Sequence, residues 1–253
     1  MEWLLTLTDL TPNSFLALVG ITFVAGVVRG FSGFALSALV MASAASFVAP
    51  VVLIPILFFL ELAASLMMAR AGLADADRRM ALLLVAGSVL GWPLGLWFTT
   101  SLPVETSKMV ALCVIVVLAA LQLLKVRVPG LGSITGTAIA GVVAGVVSGL
   151  AHVGGMVIAL FVLSLGSAAR SMRGTLVLYL FVSSLLSVFI QLGYGVMTTT
   201  GALRGLVLIP PTLLGVWLGS KLFIPRLESY YKPFCLFLLI GLASLGLIRT
   251  QLS

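Results

Sequence analysis

The chain has 253 residues, of which 61% are hydrophobic and only 8% are charged. These fractions exclude an ordinary soluble domain, in which about 25% of the residues are charged, and they predict an integral membrane protein. The net charge of +7 does not indicate a nucleic-acid partner, because Lys and Arg accumulate in the cytoplasmic loops of membrane proteins.

Residues 1–13 form a short N-terminal tail that carries Glu2 and Asp9. The tail lacks the basic start and the small-residue cleavage site of a secretory signal. We therefore expect the first apolar segment to stay in the mature protein, with the acidic tail on the outer side of the membrane.

Eight apolar segments follow in chain order, separated by polar turns or by turns that contain proline or glycine. They are 14–48, interrupted at Arg29 to Gly33; 50–69; 80–98; 106–124; 134–163, interrupted near His152; 175–192; 203–219; and 231–248. The two interrupted segments are predicted to be hairpins, because the second must leave and return on the cytoplasmic side that the basic loops define and the first corresponds to it in the repeat. Their arms, roughly 15 residues each, are short for a full crossing of about 20 residues, so both spanning and re-entrant hairpins stay open.

Short motifs recur in the same order in the two halves of the chain. The pairs are AGVVRG at 25–30 with AGVVSG at 144–149, GWPLG at 91–95 with GVWLG at 215–219, Pro103 with Pro225, and Cys113 with Cys235. Four landmarks in one order indicate two tandem repeats. We place the first repeat at residues 14–126 and the second at residues 127–253, within one membrane domain.

The distribution of basic residues orients the repeats. Loops rich in Lys and Arg are expected on the cytoplasmic side; they contain Arg70, Arg78, Arg79, Lys125, Arg127, Arg170, Arg173, Lys221, Arg226 and Lys232. The loops after residues 98 and 192 hold almost no positive charge. Each repeat then consists of a hairpin and three spans, and because three is odd the repeats should be inverted, with both termini outside. The predicted fold class is an all-α polytopic membrane protein.

The hairpin tips are the candidate binding site, because broken helices of inverted repeats commonly hold substrates near the midplane of the bilayer. A helix N-terminus favours an anion, and glycine lets a ligand approach the backbone closely. The residues predicted to bind substrate are Arg29, Gly30, Ser32, Gly33, His152, Gly154 and Gly155. Arg29 would supply a permanent charge. The alternatives are that Arg29 snorkels to the interface, that Ser32 caps a helix or bonds to the backbone, and that His152 is a hydrogen-bonded packing residue.

Glu61 lies inside the apolar stretch LFFLELAASL. A carboxylate there should face the bundle interior, be protonated, or pair with a cation such as Arg29. If the two residues pair, an arriving anion would compete with Glu61 for Arg29, and protonation of Glu61 would couple proton movement to transport. The alternative is a static ion pair that only neutralises Arg29.

No cofactor is expected. Cys113 and Cys235 lie in separate apolar segments, which argues against a disulfide or a zinc site. The chain also contains no Gly-x-x-x-x-Gly-Lys motif, so ATP-driven pumping is not expected.

Four stretches resemble the TauE/SafE sulfite exporter family of prokaryotic membrane proteins. They are RGFSGFALSAL at 29–39, SGLAHVGGMVIALFVLSLG at 148–166, RGTLVLY at 173–179 and PPTLLGVWLGSKL at 210–222. The resemblance covers nearly the whole chain. It implies a multi-pass protein of the inner membrane that exports sulfite or an organosulfonate such as sulfoacetate, with Arg29, Ser32 and the glycines of both tips on the family's glycine-rich break positions.

Two other functions are open at this point. The motifs GFSG and AHVGG are similar to those of rhomboid intramembrane proteases, in which Ser32 would be the nucleophile and His152 its base. Against this, almost half of the chain separates the two residues, and they occupy equivalent places in the two repeats. A passive anion channel with the same pocket is the second alternative. The favoured prediction is a transporter and not an enzyme.

Overall fold

The computed structural model describes residues 11–72, 76–126, 132–165, 169–222 and 228–252. Within these ranges the chain forms helices and no strands, which confirms the all-α class. The ten helices of the described ranges are α1 (Pro12–Ser32), α2 (Leu36–Ala44), α3 (Pro50–Gly72), α4 (Arg78–Ser101), α5 (Val104–Leu123), α6 (Ile134–Ala151), α7 (Gly154–Ser164), α8 (Ala169–Gly193), α9 (Thr199–Lys221) and α10 (Glu228–Leu252).

Eight of these helices are long and apolar enough to cross a bilayer, and α2 and α7 are too short. Large apolar side chains such as Leu90, Trp97 and Phe189 are exposed on the outside of the bundle, as expected for surfaces that face lipid. Most of the predicted N-terminal tail, residues 1–10, and the basic residues Arg127 and Arg226 lie outside the described residues.

Both predicted hairpins are present, but the prediction of arms of roughly 15 residues each is wrong. The arms are α1 and α2 with 21 and 9 residues, and α6 and α7 with 18 and 11 residues. The first break falls at Gly33 to Ala35 rather than at Arg29 to Gly33, because Gly33 and Ala35 have φ angles of 80° and 77° that end the helix. The second break lies at His152 and Val153, as predicted.

Spaced glycines let two pairs of helices pack backbone against backbone. A Cβ added at Gly91 or Gly95 of α4 would overlap the backbone of α6, and one added at Gly215 or Gly219 of α9 would overlap the backbone of α1. Small residues four positions apart allow helices to pack this closely.

Each of these pairs runs parallel and joins the two halves of the chain. Gly87, Gly91 and Gly95 lie in turn against the α6 residues Ala138, Val142 and Val146, so the residue numbers rise together along the contact. Along the contact of Gly26 and Gly30 of α1 with α9, the residue numbers of the two helices also rise together. The first arm of each hairpin therefore packs on a span of the other half. Helix α3 also packs on α8, and α5 on α10, so exchanging the two halves reproduces the largest contacts between helices.

The short arms α2 and α7 lie in the centre of the bundle. Leu36, Val40 and Met41 of α2 are fully buried, as is Ile158 of α7. A helix that is apolar on all sides belongs inside a protein. The long helices thus surround the two hairpin tips and shield them from lipid.

Candidate functional site

Both hairpin tips reach one buried cavity, which we call the tip cavity. Its lining comprises Ala35, Ser37 and Ala38 of the first hairpin, His152, Val153, Gly155 and Met156 of the second, Glu61 of α3 and Leu180 of α8. The volume open to the centre of a water molecule is about 10 Å³, which is room for about one water. The first turns of α2 and α7 both line this space.

Arg29 and Glu61 form a buried ion pair beside the tip cavity. Nη2 of Arg29 lies 3.3 Å from Oε2 of Glu61, and their side chains are 0% and 3% exposed. Nη2 also donates to Oγ of Ser65 at 2.9 Å, and Nη1 donates to the carbonyl of Gly33. The guanidinium therefore lies inside the protein and does not snorkel to the interface.

The two oxygens of Glu61 have different surroundings. Oε1 accepts hydrogen bonds from Oγ of Ser37 at 2.7 Å and from the backbone N–H of Ser37 at 3.3 Å. Oε2 accepts no hydrogen bond from any described residue, although it contacts Arg29. The N-terminal turn of α2 thus already binds one carboxylate, as the partial positive charge of a helix N-terminus favours.

His152 closes the second tip. It follows the last residue of α6 with a φ of 56°, a left-handed conformation that is uncommon outside glycine. Its side chain is buried, and its Nδ1 has no hydrogen-bond partner within the described ranges. The imidazole packs edge-on against the Trp92 ring, with the ring centres 5.4 Å apart.

Of the residues predicted to bind substrate, only His152 and Gly155 line the tip cavity among the described residues. Arg29 lies beside it through its contact with Glu61, and the others pack or bond elsewhere. Gly30 packs against α9, Gly33 against the Arg173 side chain, and Gly154 against Ser148 and Ala144. Ser32 bonds within its own turn, since its Oγ donates to the carbonyl of Phe34 at 2.6 Å. No hydrogen bond joins Ser32 to His152 in the described structure, so the nucleophile and base that a protease would need are not assembled.

Three side chains near the tips were missed by sequence reasoning. Ser37 and Ser65 hold the ion pair, and Trp92 holds His152. Ser65 carried a weak signal, because residues four apart lie on the same face of a helix and it is four positions after Glu61. Ser37 and Trp92 carried none, since serine and tryptophan are common in apolar helices.

Metal ligands are not clustered in the part of the chain that the structure describes: no group of three His, Cys, Asp or Glu side chains is found there. The site offers instead a guanidinium, a carboxylate, hydroxyls, an imidazole and helix N-termini. Such groups can exchange hydrogen bonds and a proton with a small polar ligand.

The fold and site define a polytopic helical membrane protein in which two broken hairpins meet around a buried charged group. The model of the family described as Sulfite exporter TauE/SafE matches residues 18–245. The chain therefore belongs to this family, which is a family of membrane anion transporters and not of enzymes. No curated protein matches the chain, and no solved structure matches it.

Proposed function

We propose that the protein is a secondary transporter that exports sulfite, or an organosulfonate such as sulfoacetate, across the prokaryotic inner membrane. The observation that carries the proposal is the meeting of one hairpin tip from each half at a single cavity, beside a buried arginine. Binding sites of many secondary transporters are built in this way, from broken helices at a repeat interface.

Arg29 is the cation that the anion would use, and Glu61 is its present partner. An anion that enters the tip cavity competes with the Glu61 carboxylate for the guanidinium. Protonation of Glu61 removes this competition, and Oε2 is the oxygen that receives no hydrogen bond from the described residues. The protonation state of Glu61 and the occupancy of Arg29 would therefore be linked, which couples proton movement to transport.

The small volume of the tip cavity indicates that the hairpin tips move during transport. A space of about 10 Å³ holds about one water and excludes a sulfite ion. The tips must separate to admit the anion, and their closure would then shield it from both sides. Such a movement is what alternating access in a transporter requires.

Inverted repeats would let the hairpin tips open to either side of the membrane in turn. If the halves are inverted, the first arm of each hairpin runs parallel to the middle span of the other half. The parallel packing of α1 with α9 and of α4 with α6 is consistent with this arrangement. Rocking of one half against the other would open the tips first to one side and then to the other.

Equilibrium binding to the purified protein tests the proposal. We expect saturable binding of sulfite or of a short sulfonate. Binding should be weaker in His152→Asn, because this variant removes the imidazole. Asparagine is chosen because it tolerates the left-handed backbone at this position. Gly20→Ala is the matched control, since nothing lies within 4 Å of a Cβ at that position. Absence of saturable binding for sulfite and for every short sulfonate would contradict the proposal.

A further inference from the structure

A second cavity, which we call the end cavity, lies where α3 and α5 begin and α4 ends. It is larger than the tip cavity, with about 180 Å³ open to the centre of a water molecule. Its lining includes three residues with hydroxyl groups, Thr99, Thr100 and Ser107. The hydroxyls of Thr99 and Thr100 donate to backbone carbonyls. In the orientation proposed above, this cavity lies at the outer face of the membrane.

A small apolar cluster separates the end cavity from the tip cavity. It consists of Ile54, Trp92, Leu96 and Val196, which are between 0% and 8% exposed. The order of residues along helices α3 and α4 places this apolar cluster between the two cavities. On α3, Val51 lines the end cavity, Ile54 belongs to the cluster and Glu61 lines the tip cavity.

The same order appears along α4, which supplies the two other large members of the cluster. Thr99 lines the end cavity, Leu96 and Trp92 follow towards the cytoplasmic end of the helix, and Trp92 contacts His152 of the tip cavity. The apolar cluster is therefore the barrier between the two cavities.

Two unpaired nitrogens lie on the barrier's inner side. Nε1 of Trp92 and Nδ1 of His152 are both buried without a hydrogen-bond partner among the described residues, and the two rings are in contact. An indole N–H can only donate, and buried donors in native proteins are nearly always satisfied. A buried indole N–H without an acceptor, on a ring that touches the His152 imidazole, indicates a ligand position that accepts hydrogen bonds.

We propose that Trp92 is a further anion-contacting residue, whose indole N–H forms with His152 an exit subsite between the tip cavity and the end cavity. The proposal rests on the proposed export of a small anion. When the second tip moves, the anion passes from Arg29 to the Trp92 indole and His152, and displacement of Ile54 and Leu96 then opens the way to the end cavity.

Export from proteoliposomes by Trp92→Phe is the first test. The substitution keeps an aromatic ring in the barrier and removes only the donor. We expect the initial rate of sulfite or sulfonate export to fall at least about tenfold, the size expected for a lost hydrogen bond to a charged group. The control is Trp97→Phe on the same helix, where the ring is 51% exposed, and its rate should stay within about twofold of wild type.

Fluorescence of Trp92 itself is the second test, and it does not depend on how Trp92→Phe folds. Trp3, Trp97 and Trp217 are replaced by Phe, and the remaining emission is followed while sulfite, methanesulfonate, chloride or sulfate is added. We expect a saturable change with the exported anion, because the ligand bonds directly to the indole N–H.

The two tests separate the subsite from the proposed function. Equal export by Trp92→Phe and Trp97→Phe overturns the subsite and leaves anion export standing. A saturable change of Trp92 emission with chloride or sulfate, in a protein that neither binds nor exports sulfite or sulfonates, overturns the proposed substrate and supports the subsite. No change of emission with any of the four anions overturns the subsite.

Discussion

Arg29 and Glu61 each depend on the other. A single charge in the interior of a membrane protein is unfavourable, and removing one partner of a buried pair costs about 3–5 kcal/mol. Loss of either charge alone would therefore destabilise the fold. The position of the pair beside the tip cavity is what gives it a second role, because the same guanidinium is within reach of a ligand that displaces Glu61.

Binding of the anion should strengthen as the pH falls, because protonation of Glu61 frees Arg29. Methanesulfonate is the suitable probe, since its own charge does not change with pH. We expect Glu61→Gln to bind it at least as well as wild type and with no pH dependence. The measurement is the dissociation constant as a function of pH.

His152 is the other titratable group in the described lining of the tip cavity. A substitution of His152 therefore provides the control for the pH dependence assigned to Glu61. His152→Asn should bind more weakly but should keep the pH dependence of wild type. If the pH dependence survives in Glu61→Gln and disappears in His152→Asn, the coupling role belongs to His152 instead.

At the scale of helices, the sequence predicted both hairpins but not the lengths of their arms. Gly30 and Gly33 look alike in the stretch RGFSGF, yet Gly30 lies inside α1 and Gly33 ends it. The difference arises from α9, whose backbone packs closely against Gly30. A glycine used for packing cannot be told from a glycine used for a turn until its distant neighbour is known.

The candidate site, like the helices, could be predicted only in part from the sequence. The unusual residues Arg29, Glu61 and His152 stand out in an apolar chain, and the structure brings all three to the hairpin tips. Ser37, Ser65 and Trp92 could not be selected, because their importance depends on contacts between helices far apart in the chain. Sequence reasoning thus identifies the charges and offers the pairing of Glu61 with Arg29 that the structure shows, but it leaves their uncharged partners undetermined.

Close packing of α4 on α6 should make Gly91→Ala strongly destabilising. The added methyl group would overlap the backbone at Val142, and overpacking costs typically 1–3 kcal/mol, so we expect a loss of about that size. Gly20→Ala should be neutral or stabilising by up to about 1 kcal/mol, because alanine favours a helix and nothing lies near its Cβ. Thermal unfolding in detergent gives the comparison, and equal stabilities would contradict the packing argument.

For the whole molecule, the proposed inversion of the repeats predicts which loops share a side. In a variant with Cys113 and Cys235 replaced by Ala, single cysteines are placed at Ser101, Leu124 and Tyr194. We expect a membrane-impermeant maleimide added to intact cells to label positions 101 and 194, and to label position 124 only after permeabilisation. This pattern follows from three spans between the two hairpins.

Two other labelling patterns would contradict either the inversion of the repeats or their orientation in the membrane. Labelling of positions 101 and 194 from opposite sides would rule out inverted repeats. Labelling of position 124 alone in intact cells would keep the inversion and reverse the orientation, placing both termini and the end cavity on the cytoplasmic side. Export through the end cavity would then be contradicted.

Titration of sulfite or methanesulfonate into Glu61→Gln and into the double variant Arg29→Ala with Glu61→Gln tests the shared anion site most directly. Both variants lack a charge at position 61, so the double variant leaves no unpaired carboxylate in the core. We predict that removal of Arg29 weakens anion binding at least about tenfold, as expected for the loss of a charge-assisted hydrogen bond. Equal affinities of the two variants would contradict an anion site built on Arg29 at the hairpin tips.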